Sequence, residues 1–317
     1  MTDIRVLFHY EVGPALHRNL EALKPDGLDV VTCPESDDDM ARALIAEAEV
    51  LWHVLRPVKA DMIAAAPRLK LIQKIGIGVN TIDLDAARDH DIAVCNMPGT
   101  NSRAVAELVI GLMLTLLRHV RTFDAEIRRG VGWAWPPARQ DDLGEIGGRI
   151  VGLVGYGAVP RRLAPVLKAL GATILYTDVA PVADPPGEYC ELPSLLARSD
   201  IVSLHVPLTA RTESMIDADA IARMKPGAIL INTARGELVD EGALTAALRD
   251  RRLGAAGLDT FAREPIAPDN PLLGLDNVVV TPHIAWLTSE TLKRSLEVAV
   301  DNTMRLAAGR TLRHRIV

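Results

Sequence analysis

Short apolar runs closed by turn residues alternate along this chain with longer stretches of helical period, the pattern of parallel sheets joined by crossover helices. Near the N-terminus, strands are expected at Ile4–His9, Asp29–Thr32, Val50–Val54, Leu71–Ile75 and Ile92–Cys95. Helical stretches lie between them, notably Met40–Ala48 and Asp61–Ala66. A long apolar helix follows from Ser102 to Arg118, with Asn101 or Ser102 in the N-cap position. Between Arg128 and Gly148 the pattern breaks: R-R-G-V-G-W-A-W-P-P-A-R, rich in Gly, Pro and Trp, reads as an extended connection. Alternation then restarts, with strands expected at Arg149–Val154, Thr173–Thr177, Ile201–His205, Ala228–Thr233, Gly254–Leu258 and Val278–Thr281. Six such units make a doubly wound sheet, and a last helix from Ser289 to Ala308 closes the chain. No internal repeat or low-complexity tract interrupts this order.

Composition narrows the picture. A length of 317 residues, 49% of them hydrophobic, suits two packed cores. Only 3% are aromatic, so those cores are expected to be built from Ala, Val, Leu and Ile. A net charge of −6 argues against a nucleic-acid binder, whose affinity rests on clustered Lys and Arg. Cys33, Cys95 and Cys190 are too few and too scattered for a disulfide framework or a zinc site, so a reducing compartment and no metal are expected. The N-terminus lacks the cationic start and apolar stretch of a signal peptide. The most apolar run, Leu108–Leu117, is about half a membrane span. These features point to a cytoplasmic protein without membrane partners.

The strongest local signal is I-V-G-L-V-G-Y-G-A-V-P, from Ile150 to Pro160. A buried strand runs into Gly155, Tyr156 and Gly157 and then into a helical stretch, Arg161–Leu170. Gly155 permits a tight turn, and Gly157 lets the backbone approach a pyrophosphate. The amides of Ala158 and Val159 then point at that anion from a helix N-terminus. Pro160 stands where a dinucleotide fingerprint usually has its third glycine; it suits a first helical position but removes one amide and restricts Val159. The next strand ends in Asp178, about 20 residues on, where a carboxylate bonds the adenosine ribose and repels a 2′-phosphate. No Arg or Lys lies between Tyr176 and Asp184, so NAD is expected rather than NADP.

Three polar segments follow at successive strand ends: Ile231–Glu237, Gly257–Pro265 and Thr281–Trp286. Ligands of open α/β sheets bind outside the carboxyl ends of strands, so Arg235, Glu264 and His283 are expected to converge. Reduction of a 2-oxo acid needs a fixed cation for the carboxylate, which a guanidinium fork supplies best. It needs a proton donor that titrates near neutrality, and histidine is that donor. The histidine in turn needs a carboxylate to hold its tautomer and keep it protonated. Arg235, His283 and Glu264 match these roles. Taken singly, each has a plainer reading as a solvated arginine, a turn glutamate or a structural histidine; their joint placement favours chemistry.

These residues resemble the D-isomer-specific 2-hydroxyacid dehydrogenases over essentially the whole chain. The likeness includes K-I-G-I-G-V-N-T-I-D (Lys74–Asp83), M-P-G-T-N-S-R-A-V-A-E (Met97–Glu107), the glycine loop, L-H-V-P-L-T (Leu204–Thr209) and the segments bearing Arg235, Glu264 and His283. The resemblance implies an α/β fold of two doubly wound parallel-sheet domains. An NAD-binding Rossmann domain, 101–285, is inserted into a flavodoxin-like substrate domain made of 1–100 and 286–317. It implies that the amides around Ile77, Gly78 and Val79 bind the substrate carboxylate with Arg235. By the same likeness Val206, Thr212, Thr233, Ala234 and Asp259 line the nicotinamide and adenosine sites. It further implies a homodimer, with the helix from Ser102 and the following arm in the interface. In some members a Trp of that arm reaches the partner's active site; Trp133 or Trp135 takes that place here, or packs under its own arm.

Departures from the family shape the substrate reading. No regulatory domain is expected after the last helix, and the chain reads L-W-H-V-L-R-P-V (Leu51–Val58) where phosphoglycerate dehydrogenases carry an Arg-Ser-x-Thr-like segment. Glyoxylate or hydroxypyruvate is therefore expected before phosphoglycerate. Glu264, where formate dehydrogenases of the superfamily have glutamine, argues against formate. D-lactate, branched or aromatic 2-oxo acids and phosphite stay open, to be decided by the residues around His53, Leu55 and Trp286. From another class, an NAD(H)-sensing corepressor-like binding protein is the competing reading; it would carry disordered partner-binding tails, and none is expected here beyond the folded core.

Overall fold

The computed structural model describes residues 3–133, 135–185 and 187–317. It divides into two compact units, Met1–Asn101 with Thr288–Val317, and Ser102–Leu287.

In the first unit β1 (Ile4–His9), α1 (Pro14–Glu21), β2 (Leu28–Cys33), α2 (Asp38–Ile45), β3 (Val50–His53), α3 (Ala60–Ala64), β4 (Leu71–Lys74), α4 (Leu84–Asp89) and β5 (Ala93–Cys95) alternate. The strands form one parallel sheet in the order β2-β1-β3-β4-β5, the flavodoxin-like arrangement. Val, Leu and Ile fill these short strands because both faces are covered. Helix α2 begins before the expected Met40, because the Asp37 carboxylate caps the Met40 amide at 2.9 Å and releases the turn upstream. Helix α1, led by Pro14, lacks an apolar stripe long enough to read from sequence, with Leu20 as its one buried residue.

The C-terminal helix, Ser289–Ala307, completes this unit through polar bonds as well as packing. Trp52 Nε1 donates to Thr303 Oγ1 at 3.1 Å, and Asn302 Nδ2 donates to Gln73 Oε1 at 2.7 Å. The final residues then run antiparallel along β5, where the Ile316 amide donates to the Val94 carbonyl at 2.7 Å. The open edge of the sheet is thereby paired.

The second unit starts with α5 (Ser102–Leu117) and α6 (Val120–Arg128). It continues through β6 (Ile150–Val154), α7 (Ala158–Ala169), β7 (Thr173–Thr177), β8 (Glu188–Tyr189), α8 (Leu192–Arg198), β9 (Ile201–Leu204), α9 (Ala218–Arg223), β10 (Ile229–Asn232), α10 (Glu241–Arg249), β11 (Ala255–Leu258) and β12 (Val278–Val280). All strands are parallel, in the order β12-β11-β10-β9-β6-β7-β8. The strand order reverses at β6, the topological switch point of a dinucleotide-binding sheet. One apolar core lies around α8, α9 and α10 and another around α5 and α7, so the sheet is covered on both faces.

Two further features differ from the sequence expectation. The sheet has a seventh strand, β8; two residues are too short to show any period, and only the Leu175–Glu188 and Tyr176–Tyr189 pairing defines them. The connection after Arg128 is extended in part, but holds a 3₁₀ turn at Pro137–Gln140, started by a proline at its first position. No helix among the described residues is long and apolar enough to cross a membrane.

Candidate active site

The glycine loop forms at the end of β6. Gly155 has φ +91°, and a Cβ there would lie 2.9 Å from Val206 Cγ1 and 3.0 Å from the His205 carbonyl oxygen. The turn therefore requires glycine on both conformational and steric grounds. At Gly157, the N-cap of α7, a Cβ would meet nothing within 4 Å, so space is open beside the loop. The helix begins at Ala158, which makes Pro160 its third residue rather than its first. The consequence is small: first-turn amides have no intrahelical partner, so the missing N–H costs no helical bond. Ala158 and Val159 keep their amides at the positive end of a 12-residue helix.

Asp178 follows β7 directly. Its Oδ2 accepts from the Tyr156 amide at 2.7 Å and its Oδ1 from the Val179 amide at 2.7 Å, so the carboxylate is fixed against the loop. Tyr156 of the loop, Tyr176 of β7 and Tyr189 of β8 meet ring to ring, with Tyr156–Tyr176 tilted at a centroid distance of 5.2 Å and Tyr176–Tyr189 edge-on at 5.5 Å. Val206 packs on Gly155. Thr212 Oγ1 donates to the Pro207 carbonyl at 2.7 Å and accepts from the Thr209 amide at 2.8 Å, so it shapes its own loop. The hydroxyls of Thr233 and Thr260, just past β10 and β11, are buried without a hydrogen-bond partner. Orphaned hydroxyls, clearance at Gly157, an uncovered helix N-terminus and a fixed carboxylate together fit a dinucleotide.

The three candidate catalytic side chains also lie at this edge. Asn232, buried at the end of β10, accepts from the Ala234 amide at 3.0 Å and donates to the Arg235 carbonyl at 2.7 Å, which sets the turn carrying Arg235. Burial lowers the Arg235 pKa, opposed by Glu237 and Glu264, and a guanidinium starting so high remains charged. A Cβ on Gly236 would come within 1.8 Å of the Phe261 carbonyl carbon, so the Arg235 and Glu264 segments pack in backbone contact.

His283 has φ +53°, a left-handed conformation costly for a residue with a Cβ. Asp259, fully buried, imposes it: its carboxylate accepts from Thr281 Oγ1 at 2.5 Å, Ile284 N at 2.9 Å and Ala285 N at 2.8 Å, while its carbonyl accepts from His283 N at 2.9 Å. Burial raises the Asp259 pKa against these bonds. Its side chain is thus turned to the His283 loop. His283 Nδ1 meets Glu264 Oε2 at 2.6 Å, with side-chain exposures of 20% and 33%. With Glu264 ionised, Nδ1 donates the proton and Nε2 is left for other work. Burial alone would raise the Glu264 pKa; the His283 bond and charge, the Phe261 amide and Arg235 outweigh it and hold the carboxyl below its ordinary value. Asn232, Gly236 and Thr281 were within the quoted motifs, yet only their hydrogen bonds and clearances reveal their part.

In the other unit Ile77, Gly78 and Val79 form the loop after β4. Ile77 is exposed and its carbonyl accepts from Asn96 Nδ2 at 2.9 Å, while Val79 packs on the core. His53 Nε2 lies 2.8 Å from Thr81 Oγ1, and Glu35 holds the amides of Leu55 and Arg56 at 2.6 and 2.7 Å. Trp286, in the inserted unit, is buried.

The D-isomer specific 2-hydroxyacid dehydrogenase, NAD binding domain family matches residues 110–285. The chain is 41% identical over 277 residues to (S)-sulfolactate dehydrogenase of Chromohalobacter salexigens, covering 84% of this chain and 88% of the relative. It is 40% identical over 270 residues to hydroxypyruvate reductase of Thermotoga maritima, covering 83% and 86%. The crystal structure of D-lactate dehydrogenase with NAD+ from Lactobacillus jensenii superposes with a TM-score of 0.80 at 29% identity, over 99% of this chain and 100% of that one. Fold and relatives define an NAD-dependent oxidoreductase of the 2-hydroxy acid/2-oxo acid couple. The chain belongs to the D-isomer-specific 2-hydroxyacid dehydrogenases.

Proposed function

We propose that this enzyme reduces small 2-oxo acids, glyoxylate and hydroxypyruvate first, with His283 as the proton donor. The observation that carries the reading is the His283–Glu264 pair, 2.6 Å apart and partly open, at the same sheet edge as the half-buried cation Arg235. Bound NADH supplies the hydride. His283 Nε2 gives its proton to the oxygen on C2, and Glu264 sustains the imidazolium through Nδ1. Arg235 holds the acid's carboxylate. The unit built from both chain ends is assigned substrate binding, with the amides at Ile77, Gly78 and Val79 as further carboxylate donors. On the cofactor side, Gly155, Tyr156, Gly157, Ala158 and Val159 hold the pyrophosphate and Asp178 the ribose. Val206, Thr212, Thr233, Ala234 and Asp259 flank the rest, Asp259 by fixing the His283 loop.

The test is NADH oxidation by the purified protein with glyoxylate, hydroxypyruvate, pyruvate, phenylpyruvate, 2-oxoisocaproate and 3-sulfopyruvate, the last prompted by the sulfolactate relative. Turnover led by the two small acids supports the assignment. Preference for sulfopyruvate or a bulky acid replaces the substrate and keeps the chemistry. NADH binding without turnover of any acid overturns the enzymatic reading of the site.

A homodimer is proposed on the arm that follows α5. Val120, Ile127 and Val131 are exposed there, as is Leu114 on α5 itself, and Trp133 is 90% exposed, whereas Trp135 packs edge-on against Phe123 at 5.6 Å. Trp133 is therefore the candidate to reach a partner. Light scattering that gives a 34.2 kDa particle at micromolar concentration would exclude the dimer. A cytoplasmic location is proposed from three unpaired cysteines, two of them buried; fractionation of the source cell tests it.

A further inference from the structure

The loop that presents Glu264 spans from the end of β11 to the 3₁₀ turn Pro271–Gly274 and contains no regular element. Phe261 at its start is buried and Ile266 packs on the core, but Ala262, Arg263, Glu264 and Pro265 between them are all exposed, so apolar packing does not hold the carboxylate itself. A second carboxylate does that instead. Glu241, the first residue of α10, accepts from the Asn270 Nδ2 at 2.7 Å through Oε1 and from the Ala262 amide at 3.3 Å through Oε2. One side chain thus ties both ends of the loop to one helix.

Each end is itself committed. Asn270 Oδ1 accepts from the Leu272 amide at 3.0 Å, which fixes the outgoing turn. Next to Ala262, the Phe261 amide donates to Glu264 Oε1 at 3.0 Å, while Glu264 Oε2 meets His283 Nδ1 at 2.6 Å. A continuous path of bonds and backbone therefore leads from Glu241 to the imidazole. Glu241 is not needed as the cap of its own helix. Asp240 does that work, accepting from the Ala243 amide at 2.9 Å.

We propose that Glu241 is a positioning residue for the acid–base pair, acting only through Glu264. The proposal rests on the assignment of His283 and Glu264 as that pair. Glu241→Ala frees both ends of the loop, so Glu264 spends less time aligned on Nδ1. Misplacement of a supporting group by about an ångström costs up to 100-fold in rate.

The experiment measures kcat, KM, the pH profile of kcat and NADH affinity for Glu241→Ala, Glu264→Gln and the double variant, using the best 2-oxo acid of the panel above. Glu241→Ala should lower kcat by about 10-fold or more and leave the NADH dissociation constant within about twofold. Its pH profile should shift in the direction seen for Glu264→Gln. In the Glu264→Gln background it should add almost nothing, because the group it positions is already lost. Asn270→Ala, which opens one end only, should give a smaller loss of the same kind. If Glu241→Ala does not fold, Asn270→Ala and Glu241→Gln carry the same comparison. Unchanged kcat and pH profile in these variants overturns the proposal, as does a loss that multiplies fully with that of Glu264→Gln. If the wild type turns over the acid but His283→Ala does so equally well, the acid–base assignment fails first and takes the positioning role with it.

Discussion

Histidines stand at the C-terminal edge of both parallel sheets, and His283 differs from the others, including the half-buried His205 after β9, whose pKa burial lowers to about 3. In the sheet of β1–β5, His9 and His53 are register neighbours, flanked by Cys33 and Lys74. Both are closed off from solvent, at 1% and 0% exposure. His53 reaches Thr81, but its Nδ1 and both nitrogens of His9 have no partner. Burial, with the charges of Lys74 and His9, pushes His53 well below its ordinary pKa. Burial also lowers His9, against the opposing pull of Glu35 and Asp38. His283 occupies the equivalent edge of the other sheet, but on a left-handed loop, partly exposed and bonded to a carboxylate. On the role proposed for His283, a histidine at a strand end is not by itself enough for acid–base work. A carboxylate on one nitrogen and an open path to the other make the difference.

The largest effect expected from this contrast is at His283. His283→Ala should lose between about 100-fold and 10,000-fold in kcat while still binding NADH, read from steady-state rates and NADH fluorescence. Near-normal turnover would erase the distinction between His283 and the other strand-end histidines.

Next in size is acid sensitivity arising from the β1–β5 sheet. There the folded state holds His9 and His53 neutral, whereas the unfolded chain takes up their protons near pH 6.5. The stability this represents is present above that pH and is lost as pH falls below it, by about 1.4 kcal/mol per pH unit for each extra proton on the unfolded chain. Urea midpoints between pH 7.5 and 5 should fall accordingly, and His53→Gln should flatten the slope; an unchanged slope would contradict the buried, neutral assignment.

A smaller change is expected on the cofactor side. Asp178→Ala should lower kcat/KM for NADH by about 10-fold and narrow its advantage over NADPH. Retention of the full NADH preference would show that discrimination lies elsewhere in the loop. The smallest effect should come from His53→Gln on catalysis at pH 7.5, where kcat of the folded enzyme should stay within about threefold. A loss rivalling that of His283→Ala would make the buried histidine part of the chemistry.

The parts legible from sequence were those written in period and in local motif. The buried strands of both sheets lay where apolar runs met turn residues, each within a residue or two, and Gly155, Asp178, Arg235, Glu264 and His283 sat at their ends. What stayed hidden depends on contacts between distant segments. Two-residue β8 has no pattern of its own and exists because β7 pairs with it. Asp259 was expected beside the cofactor; that its carboxylate also holds three groups of the Thr281–Ala285 loop shows only in the structure. Glu241 reads as an ordinary first-turn acid until Asn270, 29 residues on, is placed against it.

The C-terminal helix carries a consequence for how the chain matures. During synthesis the first five strands emerge early, but the partners of Trp52 and Gln73 are Thr303 and Asn302, and the cover for the edge of β5 is Ile316 and its neighbours. The inserted unit, contiguous from Ser102 to Leu287, has its whole sheet in hand before any of these leave the ribosome. The host sheet therefore keeps polar groups and a strand edge unsatisfied until the guest has been made, and newborn chains are expected to be most open to chaperones and proteases in the host strands that precede it.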